Sequence, residues 1–113
     1  MKKMIPDCYW PDSANGAYVS HEAVCVLNTN VDEVTVKLTL YFEDRAPLGG
    51  YRVKVPGERT KHIRLDKLLN ENGDPIPKAT PYAMVVECDK EVGIQYTRVD
   101  TTQADLAIAT TMV

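Results

Sequence analysis

Two short stretches place charge where a strand normally carries hydrocarbon: Thr60-Lys61-His62-Ile63-Arg64-Leu65-Asp66 and Gln95-Tyr96-Thr97-Arg98-Val99-Asp100. In each, an arginine stands two residues before an aspartate. Side chains two apart in an extended strand share a face, so His62, Arg64 and Asp66 fall on one side and Lys61, Ile63 and Leu65 on the other. Guanidinium forks suit carboxylates and phosphates, and aromatic faces suit cations and sugar rings. Arg59, Lys61, Arg64 and Arg98 could thus gather around one mouth of the fold, with Tyr41, Tyr51 and Tyr96 as stacking faces for an anionic or sugar-like ligand. The preferred reading pairs Arg64 and Arg98 with Asp66 and Asp100, or with Glu22, across strands or subunits.

His21, Glu22 and His62 form the one combination of metal-ligating types that three residues could complete in space. The preferred reading has each histidine hydrogen-bonding a strand neighbour, without a metal. The chain has no Ser/His/Asp elbow, no Gly-rich phosphate loop and no catalytic-cysteine context; Gly49-Gly50 reads as a turn with no helix behind it. The expectation is a protein that is not an enzyme and needs no cofactor. Cys8, Cys25 and Cys88 are odd in number and far apart, which fits neither a disulfide framework nor a zinc pattern. They read as small buried residues in a reducing, cytoplasmic compartment.

The elements that must position these residues are strands. From Glu33 to Phe42 the alternation is strict, with Val34, Val36, Leu38, Leu40 and Phe42 facing one way and Thr35, Lys37, Thr39 and Tyr41 the other. The β-rich run 18–27 precedes it, and Asn28 to Asp32 has the composition of a hairpin loop, so these two strands are expected to pair antiparallel. Further strands are expected over 51–55, 60–65, 82–87, 92–99 and 106–112. Residues 66–72 read as one helical turn with Asp66 as cap and Gly73 as terminator. Three prolines between Asp74 and Pro81 impose an extended crossing. About seven to eight short strands with regular turn signals and no long helix predict an all-β, antiparallel β-sandwich in a single domain, residues 1–113. A small closed barrel is the alternative. Trp10 is expected to cap one end of the core.

The chain has 113 residues, a formal charge of −3, 44% hydrophobic and 26% charged residues, the composition of an ordinary globular domain. That acidic balance argues against nucleic acid as the main partner, although Lys37, Arg52, Lys54 and Lys61 could share a face. The start has no apolar core of a secretory signal. The segment Leu106 to Val113 carries no charged side chain, so it is expected to be either central in a sheet or covered by another subunit, and a homo-oligomer is predicted from it.

Taken in order, Val19-Ser20-His21-Glu22, Cys25-Val26-Leu27-Asn28, Tyr41-Phe42-Glu43-Asp44, Pro56-x-x-Arg59-x-Lys61-His62-x-Arg64 and Gln95-x-Thr97-Arg98-x-Asp100 resemble the small sensory rhodopsin transducer family. The match runs from about Trp10 to the end. The resemblance implies a jelly-roll-like sandwich, a cyclic homotetramer in the cytoplasm, and a membrane photoreceptor or another protein as partner, with DNA or a small polar ligand, carbohydrate-like in one version, as further expectations. Carried onto these positions, it singles out His21, Glu22, Arg59, His62, Arg64, Gln95, Arg98 and Asp100 as the residues of a ligand pocket or a subunit interface. The ranking is a binding or signalling module first, a nucleic-acid-binding regulator second and a metal-dependent enzyme last.

Overall fold

Alternation decides which side chains enter the interior. The computed structural model describes every residue from Met1 to Val113 and contains eight strands: β1 (Lys2–Cys8), β2 (His21–Asn28), β3 (Val34–Phe42), β4 (Leu48–Val55), β5 (Arg59–Arg64), β6 (Tyr82–Glu87), β7 (Gly93–Asp100) and β8 (Ala107–Met112). They form two four-stranded antiparallel sheets, ordered β1-β6-β3-β4 and β5-β2-β7-β8. The sheets face each other as a β-sandwich, called here sheet A and sheet B in that order. Val34, Val36, Leu38 and Leu40 of β3 enter the core, as do Val24 and Val26 of β2 and Ile94 and Tyr96 of β7, within one cluster of 20 buried residues. Each such aliphatic side chain contributes about 1.5 to 3 kcal/mol by leaving water.

The connection after β2 departs from expectation. β2 does not pair with β3; it lies between β5 and β7 in the other sheet. The loop is an arch because Asn28, fully buried, ties it down from inside. Its Nδ2 donates to the carbonyls of Asp32, Val55 and Pro56 at 3.0, 3.2 and 3.1 Å. Its Oδ1 accepts from the backbone N–H and side chain of Asn30 at 3.0 and 2.8 Å. A two-residue hairpin has no place for this inward amide. The backbone of Val31 also approaches Gly57 so closely that a Cβ there would lie 1.8 Å from the Val31 carbonyl oxygen.

Three smaller differences have equally local causes. The helical turn is a single 3-10 turn, Leu65–Lys67, that follows Arg64 directly and has no side-chain cap; Asp66 is turned toward Arg64 instead. Gly49 and Gly50 belong to β4, where Gly50 has a φ of +85° beside a register shift, so the turn is confined to the residues before Leu48. Strand β1 had no sequence signal, because Pro6 and its charged neighbours obscure the period; it is an edge strand, where proline is tolerated. Trp10 packs on the margin of the core as expected, with the Lys78 ammonium 4.8 Å from its ring centroid. No helix is long and apolar enough to cross a membrane.

Replacing Asn28 with Ala leaves three carbonyls and two donors to find other partners, so Asn28→Ala is expected to lower unfolding stability by about 2 kcal/mol or more in urea denaturation. An unchanged midpoint would mean that the arch is held by something else.

Candidate functional site

Strand parity divides the eight residues singled out from sequence. β2 turns Glu22, Val24, Val26 and Asn28 inward, and its neighbours do the same with Tyr96 and Arg98 of β7 and Ile63 of β5. His21 and Cys25 of β2, His62 and Arg64 of β5, and Gln95 and Thr97 of β7 therefore lie on the outer surface of sheet B. A single pocket lined by both Arg98 and His62 does not form.

The inner set is organised by Glu22, a carboxylate only 1% exposed. Its Oε1 accepts from Tyr82 Oη of β6 at 2.7 Å, and its Oε2 accepts from the backbone N–H of Tyr9 at 2.9 Å and from Tyr96 Oη of β7. Three donors make a buried anion tolerable. Burial and the adjacent Glu22 charge push both tyrosine hydroxyls far above their ordinary value. The same two causes push the Cys8 thiol up to about 12. Arg98 continues the chain outward, its Nε donating to Tyr96 Oη at 3.4 Å and its guanidinium reaching the Asp7 carbonyl at 3.2 Å and carboxylate at 3.5 Å. Arg98, Tyr96, Ile5, Asp7, Ala109 and Thr111 line an open cleft of about 250 Å³ between the sheet edges. Asp100 takes no part: its Oδ1 accepts from the backbone and hydroxyl of Thr102 at 2.9 and 2.6 Å.

The outer set is a surface. His62, Cys25, Gln95 and Met112 stand in one register row across β5, β2, β7 and β8; Arg64, Ala23, Thr97 and Thr110 form the next. Arg64 grips Asp66 with two bonds of 2.8 Å. Burial pushes the Asp66 carboxyl up, but the Arg64 fork and the nearby His21 outweigh it and hold the group below its usual range. His21 Nδ1 lies 2.8 Å from the Val19 carbonyl, and His62 Nδ1 lies 3.1 Å from Cys25 Sγ. Each histidine thus has a local partner, and Glu22 is on the opposite face of the sheet; no three His, Cys, Asp or Glu groups converge as metal ligands.

No ring of arginines gathers around one mouth. Arg59 is exposed at the start of β5 and donates only to the Glu58 carbonyl at 3.0 Å. Tyr51 and Tyr96 are buried with their hydroxyls committed, Tyr51 to the Pro75 carbonyl at 3.1 Å, so neither offers a stacking face. Arg98 pairs with Asp7, not Asp100. Lys37 and Arg52 are direct register partners on the outer face of sheet A, with Lys54 beside them and Lys61 Nζ donating to the Lys54 carbonyl at 3.2 Å. That face holds a depression of about 770 Å³, lined by Lys2, Lys37 and Arg52 but also by Glu33, Glu87 and Asp89. Its charge is mixed.

Sequence reasoning missed Tyr82, the Tyr9 N–H and Cys25 as members of these two sets. Tyr82 carried no signal, since its partner is 60 residues away in the other sheet; Cys25 had one, its register opposite a histidine, legible only once β2 and β5 are paired.

The whole chain, residues 1–113, matches the family model described as Anabaena sensory rhodopsin transducer. The crystal structure of Thermotoga maritima 1070 is similar at 33% identity with a TM-score of 0.87, covering 98% of this chain and 90% of that one. The structure of the Anabaena sensory rhodopsin transducer is similar at 36% identity with a TM-score of 0.74, covering 84% of this chain and 92% of that one. No curated protein matches.

The buried acids set an alkaline limit. Burial raises Cys8 from 9.0 and Tyr51 from 10.0 to about 12 each, and Tyr82 and Tyr96 rise as well. An acid held more tightly protonated in the fold contributes stability that is present below its unfolded value and lost as pH rises toward the folded one. Denaturation midpoints should therefore fall steadily above about pH 9. Tyr96→Phe should cost about 1.5 to 3 kcal/mol at neutral pH and flatten that fall. A pH-independent midpoint would contradict this.

Proposed function

This chain belongs to the Anabaena sensory rhodopsin transducer family, and from that premise we propose that it is a non-enzymatic cytoplasmic module that recognises a protein partner, a sensory rhodopsin or a comparable membrane receptor, through the outer face of sheet B. The observation that carries this reading is the division of side chains by parity. The inner polar residues are consumed by one another, while His21, His62, Arg64 and Gln95 remain on an open sheet with Leu27, Val99, Ile108 and Met112 around them. An open, extended sheet face suits a protein better than a small molecule, which takes a concave site. The cleft beside Arg98 supports a secondary reading, a small carboxylate that takes the place of Asp7, whose own side chain is 90% exposed. Nucleic acid would have to use the Lys37 and Arg52 face, where three carboxylates oppose it.

A homo-oligomer, a cyclic tetramer by family resemblance, is part of the same proposal. β8 is the outermost strand of sheet B, uncharged, with Ile108 61% and Met112 70% exposed. A free edge of that kind invites pairing. Sedimentation velocity at micromolar concentration should show an oligomer that Ile108→Lys shifts toward monomer; a monomeric wild type would remove this part of the proposal.

The partner face is tested by titrating a sensory rhodopsin in nanodiscs with charge-reversal variants. Arg64→Glu should weaken binding by about tenfold or more, which is 1.4 kcal/mol, and Lys37→Glu should leave it unchanged. The opposite pattern would move recognition to sheet A, and a steep salt dependence with duplex DNA would favour the nucleic-acid reading.

A further inference from the structure

The three cysteines live in different surroundings. Cys8 is wholly buried, its Sγ 3.8 Å from the Ile5 carbonyl, and Cys88 is buried near Asp89. Cys25 alone reaches the surface, and its register partner on β5 is His62, with Sγ and Nδ1 3.1 Å apart. That is the spacing of a nucleophile and its base. The partnership is built into the sheet, because antiparallel pairing holds the two Cα positions opposite each other while parity turns both side chains outward. The flanking positions on this face are Ala23 and Leu27 on β2, Gln95 on β7, and Thr60 and Arg64 on β5; Arg64 is the one charge among them, and its fork is held by Asp66.

We propose that Cys25 and His62 form a reactive thiol–imidazole pair, a covalent modification site on the outer face of sheet B that takes soft electrophiles and the disulfides of small thiols. In the disulfide reaction Sγ attacks one sulfur of the reagent, the reagent's S–S bond breaks, and a mixed disulfide forms on Cys25. The other half of the reagent leaves as its thiolate, and the proton of Cys25 passes to His62 Nδ1. Cys25 is oxidised and the departing half is reduced, so no further oxidant is needed. Partial burial raises the Cys25 thiol, so the attack depends on the imidazole taking the proton; without it this thiol would be slow. The adduct stands between His62 and Gln95, in the middle of the face assigned to partner recognition. Its effect on partner binding rests on that assignment; its formation does not.

The test uses the assembled native protein and an aromatic disulfide, 5,5′-dithiobis(2-nitrobenzoate), with peptide mapping of the product. One thiol per chain should react rapidly and map to Cys25, and Cys25→Ser should abolish that phase while Cys8 and Cys88 react only after unfolding. His62→Gln should slow it by at least about tenfold with an unchanged denaturation midpoint, and free imidazole should restore the rate of His62→Ala. The proposal is overturned if native protein shows no rapid phase, if that phase survives Cys25→Ser, or if His62→Gln reacts at the wild-type rate. Loss of receptor binding by the labelled protein would extend the proposal to regulation. Retained binding would overturn only the placement of the partner on this face.

Discussion

A carboxylate buried between the two sheets holds this fold in register. Glu22 accepts from three directions: the backbone after β1, a tyrosine on sheet A and a tyrosine on sheet B. A buried anion with fewer donors would cost several kcal/mol, and removing one partner of such a set is more damaging than never having built it. The cluster thus links both sheets with the edge strand β1 at a point where hydrophobic contact alone would leave their relative positions soft. Through Tyr96 and Arg98 it extends to Asp7 at the surface, so a charge in the core is matched by a guanidinium at the rim.

That constraint also fixes what the outside presents. With Glu22 inward, His21, Ala23, Cys25 and Leu27 must face out, and a one-residue slip of β2 would exchange the two sets. Pairing then brings His62 and Arg64 alongside from β5 and Gln95 and Thr97 from β7. The internal carboxylate and the external polar face are two results of one register. The short motif His21-Glu22 contains both, one residue for each side of the sheet.

Much of this was legible in the residues. Strict alternation located β3, and the runs that became β2, β5, β6, β7 and β8 were visible within one to three residues at either end. The face shared by His62 and Arg64 was legible because alternation is a local rule, whereas Asp66 lies beyond the strand, in the 3-10 turn, and meets Arg64 by turning back to it. What local rules cannot reach is which strand lies beside which. Asn28 to Asp32 has hairpin composition, yet the inward amide of Asn28 sends the chain to the other sheet, and nothing within five residues of it says so. Glu22 looked like a surface ligand because its three donors come from Tyr9, Tyr82 and Tyr96, far apart in sequence. The same non-local pairing separated Arg98 from His62 and Arg64, which had been grouped as one site.

The chain has two histidines, and both lie on the outer face of sheet B. Their imidazole nitrogen resonances, observed in labelled protein as a receptor of the sensory rhodopsin kind is added, report directly on whether that face is where the partner sits. Both signals should shift or broaden together as the complex saturates. Two imidazole signals unmoved at saturation would contradict the account and return the search to the Arg98 cleft or to sheet A.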